Sequence, residues 1–139
     1  MKLRSDLAGF ITAVRFYKPS GETGPHTVSL WNSAGALLGA GTSSGETAAG
    51  WQQVALGSLV PISPNTTYVA SYHTNGRLAY DLNAFTTAGI DAAPLHLLKA
   101  GVDGPNGVYL YTANGSSGFP TTANQDANYG VDVVFTLAP

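Results

Sequence analysis

The 139-residue chain has no cysteine, which removes disulfide frameworks and thiolate metal sites from consideration. Charge is also scarce: Asp, Glu, Lys and Arg make up 10% of residues, against about 25% in an average globular protein. Helical proteins spend Glu, Lys and Arg on their solvent faces, so this shortage argues against a helical fold. Six basic against eight acidic residues leave no basic footprint for nucleic acid or for an anionic membrane surface. No apolar stretch approaches the length that spans a bilayer, so no membrane insertion is expected. The opening Met1-Lys2-Leu3-Arg4-Ser5-Asp6 lacks the apolar centre of a signal peptide. The expectation is one domain cut from a longer exported protein, with Met1 added at the cut. Its setting would be extracellular, on a cell surface or in a virion, beside other modules of the same chain.

What the chain does contain is punctuation: 17 Gly and 8 Pro, with Ser, Thr and Asn supplying most of the polarity. Short β-branched and aromatic runs lie between these clusters, which is a strand pattern. Phe10 to Lys18 reads as a first strand, apolar on both faces and therefore inside a sheet. Phe10, Thr12, Val14 and Phe16 would share one face. His26 to Trp31 and Ala36 to Ala40, joined by Asn32-Ser33-Ala34-Gly35, read as a hairpin. Trp51 to Leu56, Thr66 to Thr74, Val108 to Thr112 and Val131 to Leu137 complete the clear strands. Between 75 and 107 the chain is irregular, with one short strand expected at Leu78 to Leu82 and a helical turn at Pro94 to Lys99. The fold expected is all-β, an antiparallel sandwich of about seven to nine strands, either jelly-roll or immunoglobulin-like. Trp31, Phe16 and Phe135 are assigned to its core.

Several blocks along the chain are familiar together. They are Gly9-Phe10-Ile11-Thr12-Ala13-Val14-Arg15-Phe16-Tyr17-Lys18, His26-Thr27-Val28-Ser29-Leu30-Trp31, and Gly45-Glu46-Thr47-Ala48-Ala49-Gly50-Trp51-Gln52. Tyr68-Val69-Ala70-Ser71-Tyr72-His73, Asp103-Gly104-Pro105-Asn106-Gly107-Val108-Tyr109 and Asn128-Tyr129-Gly130-Val131-Asp132-Val133-Val134-Phe135 continue the series. In this order they resemble a bacterial domain family of unknown function, DUF4082, from about Asp6 to Phe135. The sequence departs from that pattern at Gly130, where an aromatic is common. The resemblance implies a non-catalytic β-sandwich module of large exported proteins or phage tails, with sugar binding suggested by the modules beside it.

Catalysis finds little support in the residues. Asp6, Glu22, Glu46 and Asp91 fall in turn-like contexts where carboxylates cap or solvate loops. Asp81, Asp103, Asp126 and Asp132 are not spaced as the acid pair of a glycosidase. No serine triad is expected, and His26, His73 and His96 sit on separate elements. A crosslink between Lys18 and Asp132 has no motif to specify it. No cofactor is expected beyond a structural calcium, for which Asp103, Asn106 and Asp126 are the candidate oxygen ligands.

Binding is the better-supported class. A pyranose presents a flat apolar face and a rim of hydroxyls, so its site needs an aromatic surface with a few placed polar groups. Tyr72, Arg77, Tyr80 and Asp81 flank the irregular segment, and Asn106, Tyr109 and Tyr111 lie beside it. These seven are the candidate ligand contacts, with a polysaccharide or cell-envelope glycan as partner. The alternative is a structural or adhesive spacer with no small-ligand site.

Overall fold

A computed structural model describes residues 1–113 and 115–139. Among them are eleven strands and no helix: β1 (Lys2–Ser5), β2 (Gly9–Lys18), β3 (Thr27–Asn32), β4 (Leu37–Thr42), β5 (Gly50–Ile62), β6 (Tyr68–His73), β7 (Ile90–Ala92), β8 (Leu95–Leu97), β9 (Val108–Tyr109), β10 (Thr122–Ala123) and β11 (Val131–Thr136). A six-stranded antiparallel sheet has the order β4-β3-β6-β1-β8-β7, and it packs sandwich-like on a three-stranded sheet, β11-β2-β5. The third sheet is the small ribbon β9–β10.

β2 is the central strand of its sheet, as its two apolar faces require. Strict alternation along it fails, however. A register shift against β11, where Ile11 pairs with Phe135 and Ala13 with Val134 so that Thr12 is extra, turns Ile11, Val14 and Phe16 inward together. An extra residue in one strand re-aims every side chain beyond it, so Phe10 and Thr12 leave the face that alternation assigned them. These inward residues meet Val28 and Leu30 of β3, Tyr68 and Ala70 of β6, Leu3 of β1 and Phe85 in one core. Each such side chain contributes about 1.5–3 kcal/mol by leaving water.

The β3–β4 turn is built by Asn32, whose side-chain oxygen accepts from the amides of Ala34 and Ala36 at 3.0 and 2.9 Å. β4 then crosses close to β5, the edge strand of the other sheet. A Cβ on Gly41 would strike the carbonyl oxygen of Ala55, and one on Gly39 would lie 2.7 Å from Val60. Glycine is what lets the two backbones approach there.

A second apolar cluster lies apart from the main core. Trp31 and Val69 are covered by Val108, Ala123 and Phe119, with the Trp31 and Phe119 rings edge to face at 5.8 Å. Trp31 is therefore buried, but in this smaller cluster, while Phe16 is fully buried in the main core and Phe135 is half-buried at its margin.

Four expectations need correction. Phe10 to Lys18 is not the first strand: Lys2–Ser5 precedes it as β1, an interior strand between β6 and β8, with Met1 buried in the main core. Leu78 to Leu82 is not a strand; only Asp81 bridges to Asn128. Pro94 to Lys99 holds strand β8 rather than a helical turn, because Leu95–Leu97 finds β1 on one side and β7 on the other. The strand expected over Val108 to Thr112 stops at Tyr109.

Candidate functional site: a tyrosine-lined cleft above a buried charge network

β6 and the segment that follows it form one wall of an open cleft of about 470 Å³. Residues 108–112 and 116–118 form another, and Tyr129 and Val131 contribute to the lining. Five tyrosines face it: Tyr72, Tyr80, Tyr109, Tyr111 and Tyr129. Their rings contact in series. Tyr80 is 6.4 Å from Tyr129, Tyr129 is 6.1 Å from Tyr109, and Tyr109 meets Tyr111 edge to face at 5.4 Å. Tyr111 is 85% exposed and Tyr80 56%, so two of the five offer open ring surface to solvent. The polar lining comes from serines, threonines, asparagines and His73, and no Asp, Glu, Lys or Arg is among the lining residues described.

Tyr72 is set deeper. Its ring stacks on Phe16 at 4.7 Å, and its buried hydroxyl makes no hydrogen bond with the described residues. Burial, aided by the nearby Glu22 carboxylate, pushes that hydroxyl up to about 12, so it remains protonated as a donor. Burial also raises the Tyr129 hydroxyl, with Tyr109, Tyr111 and Tyr80 adding to the effect.

Of the seven candidate contacts, the structure brings Tyr72, Tyr80, Tyr109 and Tyr111 to this one cleft. Tyr129 and His73 join them there without having been singled out. Arg77 and Asp81 are exposed outside the lining, and Asp81 serves a backbone bridge to Asn128. Asn106 requires correction as a ligand contact. It is fully buried, its Oδ1 accepts from the Lys2 amide at 2.8 Å, and its Nδ2 donates to the carbonyls of Lys2 and Leu98. Every polar atom of that side chain is committed to backbone.

The three calcium candidates are likewise committed to separate partners. Asp103 faces Arg4 at 3.6 Å, and its carbonyl accepts from Lys2 Nζ at 2.5 Å. Asp126 accepts from Thr86, and Asn106 holds β1. Two cations already stand at Asp103, so a divalent ion there would be repelled. Among the described residues, no group of three or more His, Asp or Glu side chains is arranged to hold a metal.

Next to the cleft lies a feature that the residue pattern did not suggest. Lys18, at the end of β2, is buried and donates to Glu46 at 2.8 Å and to the Thr47 carbonyl at 3.0 Å. Glu46 also faces His26 Nδ1 at 2.6 Å and accepts from Ser43. On the other side of the imidazole, His26 Nε2 is 3.4 Å from Glu22. Glu22 in turn accepts from Thr74 Oγ1 and from the Arg77 amide, each at 2.5 Å. The result is a continuous interior chain, Lys18–Glu46–His26–Glu22, ending at residues 74–77. Burial alone would raise both carboxyls. The hydrogen bonds from Lys18, Ser43 and His26 outweigh it and bring Glu46 down to about 2, and those from Thr74 and Arg77, with the imidazole of His26 nearby, hold Glu22 below its ordinary value.

Lys18 therefore pairs with Glu46 rather than Asp132, which lies opposite Arg15 at 3.4 Å. Ser43 stands in Gly41-Thr42-Ser43-Ser44-Gly45, which has the spelling of a nucleophile elbow. It follows a strand with no helix after it, and its hydroxyl donates to Glu46, so no imidazole activates it. The three histidines stay apart: His26 is in this network, His73 lines the cleft, and His96 links Asp91 and Asp6 at 2.8 and 2.9 Å.

Fold and cleft together define an all-β, sandwich-like domain with an aromatic, uncharged groove. The model of one family, described as a domain of unknown function (DUF4082), matches residues 1–131, and the chain belongs to that family. No curated protein matches it in sequence.

Proposed function

We propose that the domain is a non-catalytic binding module for a neutral carbohydrate, a polysaccharide or cell-envelope glycan without acidic groups. The observation that carries this reading is the lining of the cleft, five tyrosines among hydroxyl and amide side chains with no charged residue. Tyrosine faces suit the apolar face of a pyranose, and hydroxyl and amide groups suit its rim. An anionic ligand would find no cation there to offset its desolvation. The cleft volume of about 470 Å³ falls within the range of small-ligand sites. A binding role is further supported by the two interior acids. Glycoside hydrolysis needs one carboxyl held protonated, and Glu22 and Glu46 are both held low. Such a module would sit in an exported protein and bring its neighbours to a glycan.

The test is a glycan array with pull-downs on insoluble polysaccharides, using the native domain and Tyr80→Ala/Tyr111→Ala together. Retention on neutral glycans, weakened at least about tenfold in the double variant, is the expected result. No retention on any neutral glycan, or equal retention by the variant, would overturn it. The spacer reading draws on a different observation, the mutual packing of Tyr109 and Tyr129. It expects loss of thermal stability in Tyr109→Ala and no glycan retention by either protein.

A further inference from the structure

We infer that Glu22 is a positioning residue for the cleft: it clamps the 74–77 rim from inside the protein, with His26 3.4 Å away and the Lys18–Glu46 pair behind it. The functional meaning of this clamp rests on the binding role proposed for the cleft, but the clamp itself is observable without any ligand.

The cleft wall at Thr74, Asn75 and Gly76 has left the last hydrogen-bonded residue of β6, His73, so no sheet ladder holds it. Loops without a ladder open at low free-energy cost unless side chains tie them down. Here one carboxylate does so. One oxygen takes the Thr74 hydroxyl and the other takes the Arg77 amide, so the two ends of the rim close on a single group. Gly76 lies between them, and a Cβ at that position would run into the same carboxylate. The rim is therefore shaped around Glu22.

Every element packed against the carboxylate adds to its constraint. β2 contributes Lys18 to the network, and His26 directly precedes β3 of the opposite sheet. The 43–47 segment contributes Ser43 and Glu46, and β6 contributes Tyr72, the floor tyrosine of the cleft, whose hydroxyl feels the Glu22 charge. The acid-base groups facing Glu22 are thus His26 and Tyr72 directly, with Glu46 and Lys18 one step behind. Hydrogen bonds to a charged acceptor are stronger than those between neutral groups, which is why a carboxylate suits a clamp on an unladdered segment.

Native-state amide exchange tests this on the free domain, with Glu22→Gln as the main variant and Thr74→Val, which removes one arm only, as the second. In Glu22→Gln the Gly76 and Arg77 amides should exchange at least about tenfold faster, with amides in β2 and β5 unchanged. Thr74→Val keeps the acceptor of the Arg77 amide but removes that of the Gly76 amide, which donates to Thr74 Oγ1 at 3.0 Å, so it should accelerate Arg77 less than Glu22→Gln does while still accelerating Gly76. In the native protein their exchange, corrected for its intrinsic pH dependence, should speed up as pH falls below the ordinary carboxyl value of 4.5, and this pH step should vanish in Glu22→Gln. Equal exchange at Gly76 and Arg77 in a folded Glu22→Gln protein would overturn the inference. So would acceleration spread evenly through β2 and β5, which would mean that Glu22 serves only the global fold. Failure of the glycan tests leaves this result untouched, so the two readings fail separately.

Discussion

Lys18 Nζ and Glu46 Oε2 lie 2.8 Å apart with both side chains less than 10% exposed, an ion pair held inside a chain that has few charges. A buried pair is costly to form and more costly to break on one side, because the survivor keeps its desolvation cost without a counter-charge. Glu46→Gln would leave Lys18 without a counter-charge, and its single carbonyl oxygen could not serve both Lys18 and the His26–Ser43 side. It should cost about 3–5 kcal/mol in urea unfolding. Lys18→Met leaves Glu46 with its other two partners and should cost less. Equal losses in the two variants would mean that the pair alone, and not the wider network, carries the stability.

Acid should undo the same network. The folded Glu46 carboxyl titrates near 2 and the unfolded one near 4.5. Its ionised form therefore stabilises the fold above pH 4.5, and this contribution fades as pH falls toward 2. The loss expected is on the order of 3 kcal/mol. Unfolding free energies measured from pH 6 to pH 2 should fall through that window in the native protein, and Glu46→Gln should show a flatter profile there.

His96 should behave in the opposite sense at the far edge of the large sheet. Its hydrogen bonds to Asp6 and then Asp91 raise it above its ordinary 6.5. Such a group favours the folded state below pH 6.5 and loses that effect as pH rises through the folded value. The site is open to solvent, so the readout is the imidazole proton resonance rather than stability. Asp6→Asn should bring the titration back toward 6.5, and Asp91→Asn should do so to a smaller extent.

Asn106 and Tyr111 should separate architecture from surface. Asn106→Ala would orphan the Lys2 amide and the Leu98 carbonyl, at a cost of about 2–4 kcal/mol. Tyr111, the most exposed of the cleft tyrosines, should change stability by less than about 0.5 kcal/mol when cut to Ala. Comparable melting temperatures for the two variants would contradict this division.

The long strands were legible because their apolar residues recur where a pleated sheet needs them. β2, β3, β5, β6 and β11 all fall where the pattern put them, to within a few residues, although β5 runs on to Ile62. β1 escaped notice because Lys2 and Arg4 make it read as a charged tail, although Leu3 and Ser5 alternate with them and are buried. The 95–97 strand is three residues long, too short for any periodicity to declare itself. Four cleft tyrosines were found by composition, since flat amphipathic side chains near an irregular segment carry their own signal. The charge network was not. Lys18, His26, Glu22 and Glu46 sit in or beside Gly- and Pro-rich loops, where acids normally solvate turns, and only the crossing of those loops buries them. A hint was present even so: Lys18, His26 and Glu46 all belong to the blocks that carry the family resemblance.

The glycines of β4 have an effect beyond local packing. With Gly39 and Gly41 drawn against β5, the outermost long strand of each sheet shields the other. At its opposite end the six-stranded sheet finishes in β7, only three residues long. An edge that is covered or very short offers a poor template to a passing strand. The six-stranded sheet is thereby a poor site for β-augmentation at either end, which leaves β11, the far edge of the three-stranded sheet, as the longest edge strand that β4 and β5 do not shield.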